Sequence, residues 1–150
     1  MGRMERRDTA RLEPGVDGLA DNGLEILDEH ECVRLLHGGQ VGRLAFELGD
    51  VAAVMPVNYE MLGSDILFFT GAGAKLDAAL ESSTVTFEVD EIDAVSRTGW
   101  SVLATGKAER ADGAERVRVE ALGLYPWAAG DRHHLIRIRP NFFSGRRILA

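Results

Sequence analysis

Through most of the chain apolar and polar residues alternate with a period of two, the pattern of strands that bury one face. In residues 41–48, "VGRLAFEL", Leu44, Phe46 and Leu48 fall on one side and Arg43, Ala45 and Glu47 on the other. Gly49-Asp50 turns the chain into "VAAVMPVNYE", the expected hairpin partner. Pro56 has no N–H for a ladder, so it marks an edge, a bulge or the point where pairing stops. "MLGSD" makes the next turn, into the apolar strand "ILFFT". In "TVTFEVDEID", Val85, Phe87 and Val89 oppose Thr84, Thr86, Glu88 and Asp90. In "GWSVLATGKAER", Trp100, Val102, Ala104, Gly106 and Ala108 share a face. "LIRIRP" sets Ile136 and Ile138 against Arg137 and Arg139, and "FFSGRRIL" is a candidate last strand.

Three short stretches break this period. In "LDEHECVRLLHGG", where secondary structure is expected to begin, Asp28 can cap a helix. Glu31 follows three residues on, Leu35 and Leu36 give an apolar face, and Gly38 or Gly39 can end it. Residues 74–81 form a second helix with Leu76, Ala79 and Leu80 inward. Asp112 and Glu115 repeat the capping spacing ahead of the helix "ERVRVEALGL", and "PWAAGDRHH" is a loop. Six or seven strands with three short helices result. Several connections are too short for parallel crossovers, so antiparallel pairing dominates. A small closed or nearly closed barrel satisfies this set, because closure removes exposed edges. Residues 1–23, rich in charge and glycine and without periodicity, are read as a tail, and 24–150 as one domain.

At 45% apolar residues the 150-residue chain can build one packed core. A formal charge of -7 argues against a grip on the nucleic-acid backbone. The apolar runs are too short to cross a bilayer. Cys32 is the one cysteine, and no signal peptide is evident, so a reducing, cytoplasmic setting is expected.

The candidate chemistry centres on "ILFFTGAGAKLDAAL", residues 66–80. Lys75 is followed by Leu76 and not by a hydroxyl, which excludes a Walker-type loop. A dinucleotide fingerprint needs a third glycine and a parallel βαβ unit. Two readings remain: backbone N–H groups and Lys75 holding one phosphate at a helix start, or an ordinary glycine turn. Cys32 reads as a small buried apolar residue. His133 and His134 are adjacent, and no acidic or cysteine partner has helix spacing, so a metal site is not expected; a haem ligand among His30, His37, His133 and His134 stays open as an alternative. Trp100 and Trp127 read as core or interface aromatics, with ligand stacking the minority role. Asp90 and Asp93 are candidate partners of Arg97.

The order "VGRLAF", "MPVNYE", "ILFFTGAGAKL", "VTFEVDEID", "GWSVLATGKAER", "SGRRI" resembles the pyridoxamine 5′-phosphate oxidase-like superfamily of flavin-binding split barrels. It is most similar to the small bacterial branch that includes nitroimidazole-resistance-type proteins. The resemblance spans roughly residues 27–149. It implies a mainly β fold, a six-stranded antiparallel split β-barrel. It also implies a homodimer with one flavin mononucleotide (FMN) in each of two interface clefts. Carried over residue by residue, it implies that the strand with Met55, Pro56, Val57, Asn58 and Tyr59 lies along the flavin ring and ribityl chain. Phe69, Thr70, Lys75 and Leu76 would reach the ribityl and phosphate, and Trp100 and Ser101 the ring. Arg137 and Arg146 are candidates to complete a site from the partner chain. Phe69 stands where many relatives have arginine, and Ala74 where many have serine, threonine or arginine. Lys75 is then the obvious charged donor. The implied function is a flavin-dependent reductase of small nitro- or quinone-like compounds. The alternatives are an F420-dependent reductase on the same scaffold and a non-enzymatic flavin or haem binding or stress protein.

Overall fold

The computed structural model describes residues 23–127, 130 and 134–149. The tail of residues 1–22 and part of the 126–134 loop, including His133, lie outside the described residues. The strands are β1 (Glu25–Leu27), β2 (Val41–Leu48), β3 (Val51–Leu62), β4 (Asp65–Thr70), β5 (Val85–Asp93), β6 (Thr98–Arg110) and β7 (His134–Ile148). The helices are α1 (Glu29–His37), α2 (Ala74–Glu81) and α3 (Gly113–Ala121). All pairings are antiparallel, in the order β1-β7-β4-β3-β2-β5-β6, and β6 returns to β7. Six strands, β2 to β7, therefore close a barrel, and β1 is added to the far end of β7.

Alternation sorts the side chains as the sequence pattern predicts. Leu44, Phe68, Phe87, Val102 and Ile138 fill the barrel and are sealed from solvent. Each such side chain contributes about 1.5–3 kcal/mol by leaving water. A smaller cluster lies outside the barrel wall, where Val119 of α3 and Leu124 cover Leu67 and Phe69 of β4 and Leu135 of β7. The Asp112 carboxylate accepts from Glu115 N–H (2.8 Å) and the Glu115 carboxylate accepts from Asp112 N–H, closing a capping box at the start of α3. Asp28 caps α1 by accepting from Glu31 N–H at 2.8 Å. Arg147 then bonds Glu31 at 2.6 Å and Glu25 at 3.2 Å, pinning α1 and β1 to β7. Hydrogen bonds from Arg34 and then Arg147 hold the Glu31 carboxyl down to about 2.

The structure differs from the sequence reading in three places. β1 was not anticipated, because three residues carry too little period to register. "LIRIRP" and "FFSGRRIL" are one strand, not two. Pro140 pairs with Gly106 and Phe142 with Thr105, so Asn141 is the extra residue of a bulge that absorbs the proline. Asp93 accepts from Val95 and Ser96 N–H, and Asp90 pairs with Arg43 at 3.5 Å, so neither carries the expected pairing with Arg97. Among the described residues no helix is long and apolar enough to cross a membrane.

Candidate functional site

β3 is half an edge strand. β2 pairs with it along Val51–Asn58, whereas β4 pairs with it only from Tyr59 to Leu62. Among the described residues, no strand pairs with the other side of residues 51–58, which is why Pro56 is accommodated there. A cleft of about 320 Å³ opens beside this edge, lined by Val41, Pro56, Val57, Asn58, Phe69, Pro126 and Trp127. The segment after α3 forms its outer wall. Asn58 fixes that wall by donating from Nδ2 to the Tyr125 carbonyl at 2.7 Å. Trp127 and Tyr125 are exposed beside the cleft.

Pro56, Val57, Asn58 and Phe69 come together here, four of the residues that the sequence singles out. The others are distributed around them. Met55 packs against the barrel core, as does the inward side of Val57. Tyr59 is buried, and its hydroxyl donates to the Leu36 carbonyl at 2.5 Å. Burial pushes its titration upward, so it serves the core and not the cleft. Leu76 is a core residue, and Thr70 is buried with its hydroxyl 3.4 Å from the Gly71 carbonyl. Gly73 caps α2 with φ at +146°, a conformation for glycine, and makes no side-chain cap bond. Lys75 is exposed in the first turn of α2 and is not among the cleft residues. Ser101 pairs with Asp90 and Arg146, and Trp100 lines a separate cleft with Glu91, Asp93 and Arg147. Neither lines the cleft at β3. Arg137 is engaged under α3 by Glu115 and by Glu109 at 2.9 Å, and Arg146 donates to the Gly145 carbonyl.

Two charged groupings flank the cleft. Opposite Pro56, Arg43 lies 3.4 Å from Glu88 and 3.5 Å from Asp90. Burial, and then hydrogen bonding with and repulsion from Asp90, push the Glu88 carboxyl up to about 7 against the pull of Arg43. Folding therefore favours its proton, and Glu88 adds stability as pH falls from about 7 towards 4.5. Glu88→Gln should raise the melting temperature at pH 8 and leave it little changed at pH 5. Thermal unfolding followed by circular dichroism at the two pH values checks this, and equal shifts at both would refute it.

The second grouping is at the Thr70 end of β4. His134 pairs there with Thr70, and Arg110 lies 2.7 Å from His134 Nδ1. The Arg116 guanidinium, from α3, sits 5.0 Å from the centre of the Phe69 ring. Sequence reasoning missed Val41 and Pro126, which line the cleft, and Arg116, which lies over Phe69. Their places depend on which strand is neighbour to which and on where α3 docks, and no local pattern reports either.

A family model described as pyridoxamine 5′-phosphate oxidase matches residues 28–147. An uncharacterised protein of Mycobacterium tuberculosis is 33% identical over 129 residues, covering 83% of this chain and 85% of its own length. Among solved structures, the FAD binding protein from Mycobacterium smegmatis is 31% identical, with a TM-score of 0.69, and the match covers 82% of this chain and 97% of that one. A heme binding protein, also from Mycobacterium smegmatis, is 17% identical with a TM-score of 0.63, covers 75% of this chain and 51% of that one, and so shares the fold alone.

Proposed function

We propose, from the premise that this chain belongs to the pyridoxamine 5′-phosphate oxidase family, that it binds a flavin in the β3 cleft and works as a flavin-dependent oxidoreductase. The observation that carries this reading is the unpaired edge of β3 facing a mainly apolar cleft. A flavin ring has two apolar faces and a rim of polar nitrogens and oxygens. Val57, Phe69, Pro126 and Trp127 suit the faces, and backbone groups of Pro56, Val57 and Asn58 suit the rim. The cleft volume lies in the range of small-molecule sites, which start at about 300 Å³. Flavin binding by the relative from Mycobacterium smegmatis supports the same assignment.

When bound, the flavin would supply the hydride or electron chemistry. The chain's part is placement. Asn58 holds the outer wall, Pro56 and Val57 shape the floor, and Trp127 closes one side. The proposal takes FMN as the seated unit and small nitro- or quinone-like compounds as acceptors. A homodimer belongs to this reading. Val54, Leu103 and Phe142 are exposed apolar residues of β3, β6 and β7, of the kind a second copy could cover. The buried lone Cys32 suits a cytoplasmic setting.

The test begins with the absorbance spectrum and released cofactor of freshly purified protein. Colourless protein that stays so after titration with FMN, FAD and F420 would reject the reading, and tighter F420 binding would reject flavin. Tryptophan fluorescence locates the site. Trp127 lines the cleft and Trp100 does not, so flavin should quench wild type and Trp100→Phe strongly and Trp127→Phe much less. Equal quenching in the two variants would move the site elsewhere.

A further inference from the structure

We propose that the cavity between α3, the β3–β4 turn and β7 is a second binding site, for a small organic anion carrying two or more carboxylate or phosphate groups. It stands apart from the flavin reading. The cavity holds about 460 Å³ and is lined by Arg118, Arg137 and Arg139, by the carboxylates of Asp65, Asp112 and Glu115, and by the turn at Leu62 and Gly63. Local periodicity brings the arginines together. Glu115 and Arg118 are three apart on α3 and share a helix face, while Arg137 and Arg139 are two apart on β7 and share a sheet face. Along the outer face of β4, Asp65 lines this cavity and Phe69 lines the β3 cleft, with buried Leu67 between them in the outer cluster. The cavity and the cleft have no lining residue in common.

Donors outnumber acceptors here. The Asp112 carboxylate accepts from Glu115 N–H, and the Glu115 carboxylate accepts from Asp112 N–H and from Arg137. The Gly63 carbonyl accepts from His37 Nε2 at 2.7 Å. Arg137 is held by Glu115 and Glu109, yet its buried Nε–H has no acceptor. Arg139 makes one long ion pair, 3.6 Å from Asp65, and its side chain is 66% exposed. Arg118 is exposed, and among the described residues its side chain has no hydrogen bond or ion pair. Two guanidiniums thus keep their N–H forks open while the lining acceptors are already engaged. Carboxylate and phosphate oxygens match that fork in pairs. Arg118 and Arg139 stand on different elements, so two oxyanion groups on one molecule engage both. A cavity above about 300 Å³ admits a molecule of that size. The chain's overall charge of -7 repels anions, so affinity at this place comes from the local arginines.

The probes are citrate, a tricarboxylate, and bisphosphoglycerate, which carries phosphates. Dissociation constants are measured on the full chain by isothermal titration calorimetry at low salt, where surface charges are least screened. The proteins are wild type, Arg118→Gln, Arg139→Gln and Lys75→Ala. Both arginines are exposed, so their variants should fold, and circular dichroism checks this. Wild type is expected to bind at least one probe, and the tighter of the two identifies the recognised group. Each arginine variant should weaken that binding roughly tenfold or more. Lys75→Ala, whose charge lies on α2 away from this cavity, should leave it unchanged. Trp127 lines the β3 cleft, so its emission should stay constant as the probe is added. A wild type that binds neither probe overturns the proposal, as does unchanged affinity in either arginine variant. A loss in Lys75→Ala equal to that in Arg118→Gln, or quenching of Trp127 by the probe, places the anion elsewhere and overturns it too.

Discussion

Phe87→Ala is expected to lower the free energy of unfolding by about 3–5 kcal/mol. Phe87 is sealed in the barrel on β5. Its ring meets Tyr59 edge-on at 5.1 Å between centroids and stacks near Phe68 at 6.3 Å. It also covers Gly42 of β2, where a Cβ would lie 2.3 Å from two of its ring carbons. Truncation thus opens a cavity bounded by three strands, with no side chain at residue 42 to fill it. The same contact predicts a coupling. Gly42→Ala in the wild-type background forces the ring aside and destabilises. With Phe87→Ala already present the ring clash is gone and the Glu88 carbonyl oxygen, 3.1 Å away, is the remaining close neighbour, so the double variant should be more stable than the two losses summed. Urea unfolding of the four proteins checks both statements. A loss below about 1 kcal/mol for Phe87→Ala would show that the barrel is packed otherwise.

Gly106→Ala is expected to be nearly as damaging, at about 3 kcal/mol or more. For a chain of this length that is a fall of roughly 6–12 °C in melting temperature. Gly106 sits where β6 and β7 close the barrel, at the bulge opposite Pro140. A Cβ there would lie 2.3 Å from the Arg139 carbonyl oxygen and 2.8 Å from the Pro140 Cα. Both neighbours are backbone, so no rotamer change relieves the clash and the closing ladder itself has to separate. Gly113→Ala is the control. It stands at the start of α3 with open space around its would-be Cβ, and should be neutral or slightly stabilising. If the two variants melt alike, the closure at Gly106 is wrong. Because β7 also pairs with β4, loosening this seam should weaken ligand binding beside Phe69 as well.

The cleft was legible in part. "MPVN" and Phe69 stand out in the sequence because proline within a strand and the strand-to-helix turn each leave a local mark. Tyr59 and Asn58 show the limit of such marks. Adjacent on β3, they point to opposite faces. Tyr59 turns to the core and bonds Leu36, while Asn58 turns outward and bonds Tyr125, 67 residues away. Lys75 draws attention because it follows two glycines, yet it does not line the cleft, and the arginine over Phe69 comes from a helix that arrives much later in the chain.

What the sequence determined by itself was what repeats over a few residues. Period-two alternation set the faces of β2, β5 and β6, and the caps Asp28 and Asp112 set the starts of α1 and α3. These features are legible in the sequence because backbone sterics and local hydrogen bonding act between near neighbours, and the order of the segments resembles that of the family whose model matches residues 28–147. The tertiary structure alone decided which of these surfaces meet. It joined two apparent strands through a bulge at Pro140, added β1 to β7, and left one side of β3 unpaired. It also laid Arg116 over Phe69. Each of these depends on closing a barrel between residues distant in the chain. The free energy of that closure comes from burying the whole core at once, so no short window of sequence carries it.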